Sequence, residues 1–157
     1  MTTAVTPARP DPARHPLYER LTTEFRYAAP TVEGFDAFIS RPGHLLLFFA
    51  DDPERIKETL DLAVILPEVA SAFRGRFEVG VLLPAVANAI APRYGVRRWP
   101  ALVMLRDGEY IGAIEGIRDW EDYRFQVMRL LEIEPSEPPK PFVPPKPARQ
   151  DGERGSA

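Results

Sequence analysis

The 157-residue chain contains no cysteine. Thiol–disulfide exchange, disulfide stapling and thiolate–metal ligation all need that sulfur, so none of them belongs to this protein. Histidine is nearly absent as well. His15 and His44 are isolated, and no His/Asp/Glu spacing has the form of a zinc or iron site. None of Ser40, Ser71, Ser136 or Ser156 sits in a nucleophile elbow, and Gly108, Gly112 and Gly116 have hairpin-and-cap spacing rather than that of a phosphate loop. A basic excess is missing too: the net charge is −3, and no Lys/Arg cluster is interleaved with aromatics. Nucleic acid is therefore not an expected partner. Long hydrophobic runs are absent; the strongest, residues 45–50, falls far short of the roughly 20 residues a membrane span requires. Residues 1–16 carry no apolar signal core. The expectation is a protein without catalytic residues, cofactor, metal or membrane insertion, with the cytoplasm as its default compartment.

Proline, by contrast, is abundant. Of 18 prolines, four lie in the first 16 residues and seven between positions 135 and 147, leaving seven for residues 17–134. The length fits one domain. The proline distribution divides the chain into a flexible N-terminal arm (1–16), a domain (17–134) and a Pro-rich disordered tail (135–157) that cannot build a core. Charge divides the same way. Residues 17–134 hold 19 acids and 14 bases, and the two ends hold four acids and six bases. An acidic surplus on the domain slightly favours a basic partner.

Within the domain, Leu17, Leu21 and Phe25 recur every four residues and predict a helix beginning at Pro16. Thr31 and Val32 predict a short strand or turn before a short helix. Residues 44–50 read as a strand buried on both faces. Asp52-Pro53 has the form of a helix start, an aspartate cap followed by proline in the first turn. The amphipathic stretch after it includes Ile56, Leu60, Ala63, Val64, Val69, Ala70 and Phe73, with Pro67 expected to kink or divide it and Gly75 to close it. Residues 77–83 form the next predicted strand and residues 84–93 a short helix or turn. Residues 101–105 and 110–114 pair as a hairpin around Asp107-Gly108. Residues 119–131 are helical, with Asp119 as cap.

The stretch Tyr94-Gly95-Val96-Arg97-Arg98-Trp99-Pro100-Ala101, followed by a strand and Asp107-Gly108, resembles the second half of a thioredoxin. The resemblance covers roughly residues 31–132. It implies an α/β thioredoxin-like fold, a central mixed β-sheet flanked by helices on both faces. It also implies that Pro100 occupies the position of the family's cis-proline, leaving the backbone of Trp99 toward a groove where relatives hold an extended peptide as an added strand. Trp99 has a second reading, as a core side chain before a structural turn. At the redox end the chain has Asp51-Asp52-Pro53-Glu54 where Cys-x-x-Cys would begin a helix, and Leu47 where the proton-transferring aspartate would stand. Asp51, Asp52 and Glu54 read either as capping groups or as an acidic rim near Trp99, suited to arginine-bearing ligands.

Asp52-Pro53, Arg93-Tyr94-Gly95-Val96, Arg98, Pro100-Ala101, Gly108, Tyr110, Gly112 and the run Gly116-Ile117-Arg118-Asp119-Trp120 together resemble a narrower group. These are the HupG/HyaE-type accessory proteins of nickel–iron uptake hydrogenase maturation. That resemblance implies a chaperone that holds the hydrogenase small subunit precursor, including its twin-arginine signal peptide, before export. Other hydrogenase maturation proteins are further implied partners. The candidate peptide-binding residues are Arg98, Trp99, Pro100, Asp51, Asp52 and Glu54.

Overall fold

Residues 11–140 are described by the computed structural model of the chain. The unbroken apolar run after Gly43 forms β1 (His44–Phe49), the inner strand on which the fold is built. Its side chains alternate between two cores. Leu46 and Phe48 enter one hydrophobic cluster, and Leu45, Leu47 and Phe49 enter another on the opposite face. This two-sided burial explains why the strand has no polar alternation. Beside it, β2 (Glu78–Leu82) runs parallel and β3 (Ala101–Arg106) antiparallel, and β4 (Glu109–Glu115) completes the order β2-β1-β3-β4. The sheet is mixed, as the sequence predicts.

Asp107 and Gly108 both have positive φ, 52° and 82°, the geometry a two-residue hairpin turn demands. Asp107 also accepts a hydrogen bond from the Gly43 N–H at 2.7 Å, so the turn is fastened to the loop before β1.

Helices cover both faces. On one, α1 (Pro16–Thr23), α3 (Glu58–Ala72) and α5 (Trp120–Leu130) bury Tyr18, Leu62, Leu66, Val69, Tyr123 and Val127 against the sheet. On the other lie α2 (Phe35–Ile39), α4 (Pro84–Ile90) and a 3-10 turn, Ala91–Tyr94. Asp119 caps α5 by accepting from the Asp122 N–H at 2.9 Å.

Several expectations are corrected. Asp52-Pro53 does not start the helix. Asp52 instead closes one isolated turn, its carboxylate accepting from the Glu54 N–H and its carbonyl from Arg55 and Ile56, and α3 begins only at Glu58. Pro67 does not divide α3, which runs unbroken through it. Val64 is exposed rather than part of the buried stripe. Of the strand or turn expected at Thr31-Val32, the structure has the turn, leading into α2. An extended contact lies earlier instead, where Ala28 bridges Gly80 in parallel beyond β2.

Outside 17–134, the described residues pack on the domain. Pro12–Arg14 forms a 3-10 turn, and Ser136 donates its N–H to the Tyr110 carbonyl at 2.8 Å. The rest of the expected arm and tail, residues 1–10 and 141–157, lies outside the described residues.

Candidate functional site

Three chain segments meet at one end of the sheet: the exit of β1, the entry of β3 and the exit of β4. The entry of β3 carries the only cis peptide among the described residues, Trp99-Pro100. The Pro100 carbonyl accepts from the Gly116 N–H at 2.8 Å, which fastens this turn to the end of β4. Trp99 is half-buried, its indole edge-on to Phe49 at 6.2 Å between ring centres. One face of the ring therefore supports the core while the remainder is accessible. The Trp99 backbone N–H and C=O make no hydrogen bond with any described residue.

The acids behave differently from a rim. Asp51 is buried, with only 1% of its surface accessible. Its carboxylate accepts from the Asp52 N–H at 2.7 Å and faces Arg55 at 3.6 Å across the small turn. Its backbone is locked from behind. The Tyr18 hydroxyl donates to the Asp51 carbonyl at 2.6 Å, and Thr59 accepts from the Asp51 N–H at 3.1 Å while lying 2.8 Å from the same phenol. Burial raises the Tyr18 pKa well above its ordinary value, so the phenol stays a neutral donor. Asp52 is buried as well; only Glu54 of the three is exposed. A tyrosine and a threonine thus fasten the backbone of the loop between β1 and α3, while the Asp51 and Asp52 carboxylates hold its turn.

The cleft beside Trp99 is basic rather than acidic. Arg97, Arg98 and Arg118 line a depression of about 610 Å³ with Ala113 and Glu115. Glu115 organises it: one carboxylate oxygen accepts from the N–H groups of both Arg97 and Arg98, at 3.1 and 2.8 Å. Arg118 donates to the Glu115 carbonyl at 3.2 Å and approaches Asp122 at 3.7 Å.

The comparisons with known proteins bear on this geometry. Residues 17–123 match the family described as "Hydrogenase-1 expression protein HyaE". The chain belongs to the HyaE family. It is similar to HoxO of Cupriavidus necator, a hydrogenase expression/formation protein, at 37% identity over 82% of this chain and 81% of that one. HupG of Rhodobacter capsulatus, named likewise, is 38% identical over 79% of this chain and 91% of its own length. HoxO of Azotobacter vinelandii is 35% identical, covering 84% and 89% of the two chains. Among solved structures, a thioredoxin mutant from Halobacterium salinarum superposes with a TM-score of 0.54 at 24% identity, over 69% of this chain and 92% of that one. It shows that the fold is thioredoxin-like. The HyaE match spans the buried Asp51 lock, the cis turn and the Glu115 cluster alike.

Sequence reasoning brought Arg98, Trp99 and Pro100 into the candidate set, but missed Arg97, Glu115 and Arg118. A two-residue turn at Asp107-Gly108 would place Ile114 opposite Ala101. The bulge at Met104/Leu105 instead moves Glu115 into that register, beneath the arginine N–H groups. Tyr18 and Thr59 were likewise invisible, because nothing local marks a tyrosine in α1 as the partner of a loop 33 residues away.

Proposed function

We propose that the protein is a non-catalytic chaperone of nickel–iron hydrogenase maturation, holding the small subunit precursor and its twin-arginine signal peptide in the cytoplasm before export. The family match over residues 17–123 carries the reading toward hydrogenase. The geometry supports the finer part. A half-buried indole whose backbone N–H and C=O make no hydrogen bond among the described residues, next to a cis proline at the end of a sheet, suits an extended peptide adding one or two main-chain hydrogen bonds. The apolar part of a signal peptide has Trp99 to lie against. Its arginine pair is repelled by the Arg97/Arg98/Arg118 cleft, so it sits toward the exposed acids of the first turn of α3, Glu58 and Asp61. Asp51 and Asp52 act from beneath by holding the loop rigid, and Glu54 adds an exposed charge.

The test is capture of three hydrogenase small subunit forms: precursor, precursor with both signal arginines changed to lysine, and mature subunit. The expected order is strong, weak and none, because lysine cannot reproduce bidentate pairing with a carboxylate. Equal retention of precursor and mature subunit would reject the reading in favour of a general assembly module.

A further inference from the structure

A second site lies on the opposite face from α5, where the end of the Ala91–Tyr94 turn meets β4. Tyr94 and Tyr110 stack nearly parallel there, 6.0 Å between centres with planes 16° apart. Between this pair and the cis turn stands Gly95, with φ of 65°. Residues 135–140, three of them proline, run across this ledge. Ser136 donates its N–H to the Tyr110 carbonyl at 2.8 Å. Pro139 then crosses directly over Gly95: a Cβ placed there would stand 2.8 Å from the Pro139 Cβ and 3.0 Å from the carbonyl oxygens of Pro139 and Lys140.

We propose that Tyr94, Gly95 and Tyr110 form a recognition site for a polyproline-type segment, and that residues 135–140 are its resting occupant. Three independent features meet. Flat aromatic surface is what a rigid proline-rich segment docks on, since its conformation is set before binding and little entropy is lost. A residue without a side chain admits the segment's main chain to contact distance, and glycine also suits the left-handed backbone at that position. The β4 edge supplies one carbonyl to the segment, as an edge strand does for an added chain. Nor does the segment fill its surroundings as a core element does. A cleft of about 480 Å³ remains between residues 135–138, Arg93 and Glu109. Residues 136–140 remain exposed to solvent. The contact therefore has the character of a held ligand, one that a proline-rich segment of another protein can replace only by displacing it.

The site is separate from precursor capture, so its failure and the failure of that reading are distinguishable. The test uses the full chain and a variant carrying Pro135→Ser, Pro138→Ser and Pro139→Ser, with a labelled Pro-Ser-Glu-Pro-Pro-Lys-Pro peptide as probe. Fluorescence anisotropy is expected to show binding to the variant at least tenfold tighter than to the natural chain, whose ledge is filled. Ring signals of Tyr94 and Tyr110 in NMR spectra should shift between the two proteins without peptide, then return toward their natural positions on adding it. A Gly-Ser-Glu-Gly-Gly-Lys-Gly peptide should fail to bind either protein. Equal peptide affinity for both proteins, no binding to the variant, or tyrosine signals unmoved by the substitutions would overturn the proposal.

Discussion

Tyr18 illustrates how much of the loop's order rests on one atom. Its hydroxyl joins the Asp51 carbonyl and the Thr59 side chain across three segments of chain, in a region closed to water. Tyr18→Phe keeps the ring and removes only those bonds, leaving a buried carbonyl without its donor. The expected loss is about 1–3 kcal/mol, read from urea denaturation. Trp99 is the contrasting case. Because its indole is half-buried against Phe49, Trp99→Ala should cost about 1–2 kcal/mol, less than the 3–5 of a fully buried aromatic, while precursor capture falls far more. A melting shift as large as that of a core truncation, with capture unchanged, would remove Trp99 from the site. His44 adds a pH dependence. Burial lowers its pKa below the ordinary 6.5, reinforced by Arg106 and Arg76 and opposed by Asp107, and its buried Nε2 has no hydrogen-bond partner among the described residues. The unfolded chain takes up the proton first, so this stability is fully present above pH 6.5 and is lost as pH falls toward the lower folded value. His44→Gln should flatten that part of the melting-temperature profile between about pH 7.5 and 5.5.

At the scale of elements, legibility follows how local the cause is. The hairpin was readable because Asp107-Gly108 alone selects its turn, and α5 because Asp119 alone caps it. β1 was readable from its unbroken apolar run. Asp52-Pro53 misled because an aspartate followed by proline closes any tight turn, and what decides whether a helix continues is the packing of later residues; the first of α3 to be buried is Thr59. The candidate site was half legible for the same reason. Arg98, Trp99 and Pro100 sit in a recognisable turn, whereas Glu115 reaches the Arg97 and Arg98 N–H groups through a bulge that no local signal marks. Pro67 shows packing overriding propensity. It lies within α3 although it offers no N–H to the Ala63 carbonyl one turn earlier. Leu62, Ala63, Leu66 and Val69 around it are all buried, and their burial holds the helix together across the missing bond. Pro67→Ala restores the donor and should stabilise the protein by about 1–3 kcal/mol in the same denaturation experiment. No gain would mean that the helix bends there to accommodate the ring.

Across the whole molecule, the modest net charge hides a local asymmetry. Arg97, Arg98 and Arg118 gather around Glu115 on the β4 side, whereas Glu58 and Asp61 open α3 with exposed carboxylates. Arg118 is drawn toward Asp122, but neither Glu58 nor Asp61 has an ion-pair partner among the described residues. Their charges remain available to a ligand, and at about 0.15 M salt they act over roughly 8 Å. Under the proposed reading, an arginine-bearing segment is attracted toward the α3 carboxylates and repelled from the Arg97/Arg98/Arg118 cleft, which would favour one direction of the bound segment. The double variant Glu58→Lys, Asp61→Lys should weaken binding of a labelled peptide carrying the arginine pair at least tenfold. Arg118→Glu should tighten it. Raising salt should weaken binding to the natural chain and strengthen it to the double variant, because screening there relieves repulsion by the introduced lysines and by the Arg97/Arg98/Arg118 cleft. If Arg118→Glu instead weakens binding and the α3 variant does not, the arginine pair is held elsewhere and the charge asymmetry does not set the direction of the bound segment.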